Sequence, residues 1–356
     1  MALNQNNSRL PAEWESHAFT QLTWPSLNTD WNYMLPEAVN CFCRILDAIA
    51  TFEPVLIVTD SIQWLRSCLG TRSFKHDVWA FECPINDTWT RDHGLITLLR
   101  PDGNVDMLDF TFNGWGLKFA ANHDNQINTR LASGPLAHNS IFHMSTVLEG
   151  GSIESDGCGA LMSSSMCLLA PNRNGFQSIS DAISDLAPIF RPQRFHFVES
   201  GELIGDDTDG HIDTIARFAP QNTILYLATD DSSDPHYDSL RNMLADLRTF
   251  SNANGEAYRL CPLPLCPPIF DPESGERLPA TYANFYFVNG AILVPTYGVS
   301  TDDVALRTLS DLYAHMGYEI IGVDCLALIR QHGSLHCSTM QFPAPVKFDT
   351  SKLTKL

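Results

Sequence analysis

Basic side chains are scarce in this sequence. Of 356 residues, 22 are Lys or Arg against 41 Asp or Glu, a formal net charge of −19. A nucleic-acid partner needs a basic face to neutralise phosphates, so this balance argues against one. It would instead attract a small cation. No apolar run approaches the roughly 20 residues that cross a bilayer, so no membrane partner is expected. The opening stretch MALNQNNSRLPAEWESH has neither a basic segment nor an apolar core, and does not read as a secretory leader. The ten cysteines include no CxxC pair. Without a leader they read as free thiols, most of them buried as small apolar residues, in a cytoplasmic protein.

What is present is a recurring order. Apolar residues at helical spacing occupy 34–50 (Val39, Phe42, Ile45, Leu46, Ile49), 177–187, 236–250 and 302–316, with a weaker stretch at 123–133. Each precedes a strand-like run: PVLIVTD (54–60), SIFHMSTV (140–147), RFHFVES (194–200), YRLCPLP (258–264) and EIIGVD (319–324). A polar, Gly- or Asn-containing segment follows each, then another β-rich run, such as GLITLL (94–99), TILYLAT (223–229) or AILVPTYG (291–298). Only the order repeats, not the residue identities. Units of this kind cannot bury their own apolar faces, so five of them should close around an axis. Their five polar loops would then meet.

Those loops hold the reactive residue types. NDTWTRDHG (86–94) carries Trp89 and Asp92, and VLEGGSIESDG (147–157) carries Glu149. GDDTDGHIDT (205–214) carries His211 and Asp213 at alternate positions, which share a face on an extended segment. YANFYFVNG (282–290) carries Asn284, and QHGSLHCSTMQFP (331–343) carries Cys337. Each has a bland alternative as a buried thiol, a turn or a cap. Their recurrence at one place in successive units favours shared chemistry. Two carboxylates, Asp92 and Asp213, match the planar donor fork of a guanidinium. A thiolate at Cys337 attacks the guanidino carbon, and a bound cation beside it favours that thiolate. His211 protonates the departing ammonia and then activates water. Glu149 would orient His211 and raise its pKa. Trp89 would wall the pocket.

The chain resembles the agmatine deiminases and the bacterial, Porphyromonas-type peptidylarginine deiminases of the guanidino-group-modifying superfamily. The resemblance runs from LPAEWESH to HCSTMQFP and rests on NDTWTRDHG, LEGGSIESDG, LAPNRNG, GDDTDGHIDTIARF, YANFYFVNG and GSLHCSTMQ. It implies a single catalytic domain over 1–356, folded as a fivefold pseudosymmetric α/β propeller (a pentein) with the site at its centre. It implies hydrolysis of agmatine to N-carbamoylputrescine and ammonia through a covalent Cys thiouronium, with no metal and no organic cofactor. Cys337 falls on the family nucleophile, His211 on the acid/base, Asp92 and Asp213 on the guanidinium-binding acids, and Glu149 on the acid of the EGG motif. Trp89 falls on a substrate-contacting tryptophan and Asn284 on a site-lining position. A homodimer is the assembly the family implies.

Two departures bear on the substrate. The family's usual GGGNIHC stretch is here HGSLHC, and the segment after Trp24-Pro25 reads SLNTDW where an arginine-containing stretch is usual. Peptide-directed relatives hold a substrate carboxylate with arginines after the RD motif. Between Asp92 and Asn122 only Arg100 and Lys118 carry positive charge, which favours a decarboxylated substrate. The alternatives are a peptidylarginine or other guanidino-compound deiminase, or a guanidine-binding protein without catalysis. A metallohydrolase using Asp206, Asp207, Asp209, His211 and Asp213 is disfavoured, because no second His cluster has metal spacing.

Overall fold

The computed structural model describes residues 8–356, so the leader reading falls partly on residues outside it. Strands gather into five sheets. In four of them a short first strand pairs antiparallel with a second, and the second pairs parallel with a third. In chain order these are Ile96–Leu99, Val105–Thr111 and Ser140–Val147; Ile153–Ser155, Ala160–Ser164 and Arg194–Val198; Ala216–Ala219, Thr223–Ala228 and Arg259–Pro264; and Tyr286–Val288, Ala291–Thr296 and Glu319–Asp324. Antiparallel neighbours need only a tight turn, whereas parallel neighbours need a crossover. Helices supply it: Ile127–Ala132, Ile179–Phe190, Tyr237–Leu247 and Asp302–Tyr313 each join a second strand to a third.

The fifth sheet repeats this pattern with strands from both ends of the described chain. His17–Thr23 runs parallel to Val55–Thr59 across helix Leu35–Ile49, and its antiparallel partner is Thr339–Pro343. Val78–Glu82 and Thr354–Lys355 extend that sheet. The chain is thus a mixed α/β fold.

Local sequence explains the elements. Helix Leu35–Ile49 places Pro36 in its first turn, where the missing N–H costs nothing, and buries Ala38, Phe42, Ile45, Leu46 and Ile49. Ser178 caps the helix over 179–190 by accepting from Asp181 N–H at 3.2 Å. The second strands are buried along nearly their whole length, and Ala291–Val294 is a continuous apolar run, because helices and neighbouring elements cover both faces. No helix among the described residues is long and apolar enough to cross a membrane.

The expected helices and strands occur where periodicity placed them, with one difference. Four of the five polar loops lead into a two-stranded hairpin rather than a single β run, and the fifth leads into Thr339–Pro343, which pairs with His17–Thr23. GLITLL holds a first strand, while TILYLAT and AILVPTYG hold second strands. The first strands ARFA (216–219) and YFV (286–288) are too short to show a period of two.

Candidate active site

The connection that follows each third strand carries the candidate residues. In the sheet built from both ends it follows the added strand Val78–Glu82 instead, and there come Trp89 and Asp92. Glu149, then His211 with Asp213, then Asn284, then Cys337 occupy the other four connections. All seven side chains are buried. Asp92 lies in the single helical turn Thr90–His93. His211 and Asp213 flank the start of a 3-10 turn over 212–214, so a tight turn and not an extended strand sets their directions. Asn284 ends the 3-10 turn over 282–284, and Cys337 sits in another over 336–338.

Gly151 is the point on which these groups converge. A Cβ there would lie 2.6 Å from His211 Nδ1, 2.9 Å from Asp92 Oδ1 and 3.1 Å from Asp213 Oδ2. Only glycine permits that approach, and its own N–H donates to Asp92 Oδ1 at 3.1 Å. This is the physical content of the EGG run.

Cys337 Sγ lies 3.8 Å from Asp213 Oδ2 and 3.3 Å from Asn284 Nδ2. Asn284 Oδ1 also accepts from the backbone N–H of His336 at 2.8 Å and of Cys337 at 3.3 Å, which clamps the turn bearing the thiol. Burial, then Asp213 and Asp92, push the thiol well above its ordinary pKa. At 3.8 Å and an effective dielectric near 20, one carboxylate opposes a thiolate by about 4 kcal/mol. These charges favour the thiol over the thiolate.

Asp92 accepts from Trp115 Nε1 at 2.9 Å, and burial lifts it to about 6 despite the nearby His211. Its Oδ1 is 3.5 Å from His211 Nδ1, but neither ring nitrogen of His211 has a hydrogen-bond partner. Charge alone joins that pair. Burial works against protonation of His211, yet Asp92, Cys167 and Glu149 together raise it well above its ordinary value. Asp213 behaves oppositely to Asp92: burial would raise it, but the hydrogen bond and charge of His336 hold it below the usual range.

Glu149 does not orient His211 in the way its position in the motif implies. Both its oxygens face Arg173 Nε, at 3.0 and 2.9 Å, and it acts on His211 through charge. Arg173, in LAPNRNG, carried no assigned role in the sequence. Nor did Glu13, Arg91, Trp115, Arg217 or His336, all of which are buried around the site. LPAEWESH, DTIARF and HCSTMQ contain three of them, but no spacing marks which partner each takes.

The acids of the GDDTDG run do not form a metal centre. Asp206 accepts from Thr208 Oγ1 at 2.7 Å and Gly210 N–H at 2.8 Å, while Asp209 pairs with Lys118 at 2.7 Å and Arg173 at 2.6 Å. Among the described residues, the donors close enough to share a cation are Glu149, Cys167 and His211, whose ligand atoms lie within 4.8 Å of one another. The Arg173 guanidinium already takes up both Glu149 oxygens, so this set fits a metal poorly. All ten cysteines are free thiols.

A pocket of about 240 Å³ opens onto Cys337. Trp89, Trp115 and Phe119 wall it, Asp92 lies on its inner surface, and Asp30, Asp87 and Asp207 add carboxyl groups. A side chain at Gly333 would overlap the Trp89 indole, so this glycine sets the pocket width. Arg330 also lines the pocket, but Asp271 at 3.1 Å and Glu273 at 3.2 Å neutralise it. The arrangement suits a slim cation with a flat, donor-rich head.

Known proteins are similar in sequence and architecture. The agmatine deiminase of Medicago truncatula is 30% identical, with 94% of this chain and 96% of that protein aligned. A C. jejuni agmatine deiminase solved with substrate bound is 35% identical and superposes with a TM-score of 0.87, over 94% of this chain and 96% of that one. A Porphyromonas gingivalis structure, titled as a candidate arginine deiminase, is 43% identical with a TM-score of 0.87, over 96% and 99%. The profile of the Porphyromonas-type peptidyl-arginine deiminases matches residues 9–343, a span that takes in every residue of the pocket's reactive cluster, and the chain belongs to that family.

Proposed function

We propose that this chain is a C–N hydrolase that converts agmatine to N-carbamoylputrescine and ammonia, with Cys337 as nucleophile. The observation that carries the reading is the set of buried atoms without partners around one thiol. Asp213 Oδ1 and both ring nitrogens of His211 have none, and Sγ faces two carboxylates. Unpaired buried polar groups are costly; a guanidinium N–H would satisfy the Asp213 oxygen, and its positive charge suits the space beside two carboxylates.

The steps follow from charge. A guanidinium lies between Asp92 and Asp213 and offers N–H groups to both. Its positive charge offsets the two carboxylates that hold the thiol neutral, so Sγ releases its proton to solvent in the pocket and attacks the guanidino carbon. Protonated His211 gives its proton to the departing amino group, which leaves as ammonia. The C–N bond breaks as the C–S bond persists, and a thiouronium remains on Cys337. Neutral His211 then takes a proton from water as the oxygen attacks the same carbon. The C–S bond breaks, leaving a ureido product and the thiol. Trp89 packs along the substrate, Asn284 holds the thiol's turn, and Glu149 keeps His211 charged at rest. No metal or organic cofactor takes part.

Supporting the finer architecture, the five sheets share a common three-strand pattern, and connections after all five bring residues together around Gly151 and Cys337. We read this as a fivefold propeller (a pentein) formed by the whole chain, 1–356, as one catalytic domain. A homodimer remains part of the proposal from family resemblance.

The test is a panel of agmatine, free arginine, arginyl peptides and methylarginines, assayed for ammonia and ureido product. Agmatine is expected to give the highest kcat/KM. Release of ammonia from none of the panel, or equal release by Cys337→Ala, would contradict the assignment. Preference for arginyl peptides would move it to the alternative, a peptidylarginine deiminase. Binding of guanidines without turnover would move it to a non-catalytic protein.

A further inference from the structure

The two oxygens of Asp213 have different surroundings. Oδ1 has no hydrogen-bond partner, whereas Oδ2 lies 2.7 Å from His336 Nδ1. On the far side of the same imidazole, Nε2 lies 2.6 Å from Glu13 Oε2. Glu13 is itself anchored by Phe287 N–H at 2.9 Å, Arg217 Nη2 at 2.9 Å and Arg91 Nη2 at 3.4 Å. Arg217 also pairs with Glu154, and its Nη1 donates to Phe285 O at 2.7 Å. The backbone of His336 is fixed as well, through its N–H to Asn284 Oδ1 at 2.8 Å.

Two short contacts constrain the protons. A neutral imidazole has one N–H and one lone pair. A lone pair facing a carboxylate oxygen at such a distance is repulsive, so each gap holds one proton. Burial and the charges of Arg217 and Arg91 disfavour a second proton on the ring, while Glu13 and Asp213 favour it. Wherever that second proton resides, the ring is held at both ends and cannot turn.

We propose that His336 is a positioning residue for cation recognition: pinned to Glu13, it takes up one oxygen of Asp213 and leaves the other aimed at a guanidinium N–H. The proposal rests on the deiminase reading and adds a layer behind it. Without this contact Asp213 is a buried carboxylate left with the long, weak Cys337 thiol contact at 3.8 Å, free to rotate or to take up a proton.

The amide of asparagine overlays imidazole Nδ1, and that of glutamine overlays Nε2. His336→Asn thus keeps the Asp213 contact, and His336→Gln keeps only the Glu13 contact. Agmatine affinity is measured by calorimetry in a Cys337→Ala background, which retains the pocket without turnover. His336→Gln is expected to weaken binding about tenfold or more, and His336→Asn by no more than about threefold. A merely structural role predicts no such order. Equal affinity in parent and His336→Gln, or the reverse order, overturns the proposal alone. No binding by the Cys337→Ala parent overturns the deiminase reading and the proposal with it. Should neither variant fold, ¹⁵N-histidine spectra of the parent decide. One strongly deshielded ring N–H that shifts on adding agmatine supports the proposal, and its absence overturns it.

Discussion

Asp92 and Asp213 are almost equally buried, at 3% and 0% exposed, yet their acidities move in opposite directions. Asp92 belongs to the wall that faces the pocket. Its donors are an indole N–H and one backbone N–H, and burial wins, lifting it to about 6. Asp213 belongs to the wall that faces inward. It has a closer donor in His336, with Arg217 behind, and these outweigh burial. The depth of a carboxylate does not set its charge; the donors aimed at it do. One acid is loosely held and sensitive to what enters the pocket, and the other is kept ionised by a built polar layer.

The largest effect is expected from Cys337→Ser, which replaces the atom that both acids oppose. Turnover should fall by at least about 10³-fold with the melting temperature unchanged, since a hydroxyl is a far weaker nucleophile at neutral pH. Comparable turnover would rule out covalent thiol chemistry. Gly151→Ala comes next, because its Cβ would press on Asp92, Asp213 and His211 together. A shift of this size should lower kcat/KM on the order of 10²-fold, with a stability loss of about 1–3 kcal/mol by thermal melting. Activity at the wild-type level would mean the two walls tolerate being parted.

The comparison also sets a pH dependence. Asp92 must be ionised to hold a cation, and its folded pKa is about 6, so the carboxylate is present above that value and lost as pH falls through it. The kcat/KM profile should therefore show an acid limb near pH 6. Asp213, held low, should contribute no limb in that range. The smallest change is Trp115→Phe. It withdraws a hydrogen bond that lowers Asp92, so the limb should move upward and kcat/KM drop by about threefold to tenfold at neutral pH. A limb that stays in place would show that Asp92 is not the group titrating.

Much of this was legible in the residues alone. The sequence pattern placed a helix within 34–50 and a strand within 54–60, where the structure has them at 35–49 and 55–59, and the loop motifs drew attention to Asp92, His211, Asp213 and Cys337. The inward wall was not legible. His336 meets Glu13 across 323 residues, and Arg217 meets Glu154 across 63. Local spacing carries no record of such pairings. The role expected for Glu149 changed for the same reason, since nothing near it in the chain announced Arg173. Trp115 was equally silent: its backbone is left-handed, with φ of 55°, and nothing beside it in the chain marks it as a donor to Asp92. The three-residue hairpin strands were missed because they are shorter than any periodic signal.

The central claim is that a resting, protonated thiol ionises only when a cation fills the space between the two walls. Ultraviolet thiolate absorbance, recorded as wild type minus Cys337→Ala while a non-hydrolysable amidinium is titrated in at neutral pH, tests it most directly. Absorbance rising with occupancy from a near-zero baseline is the expected result. A full thiolate signal in the empty protein, or a saturated pocket with no signal, would contradict it.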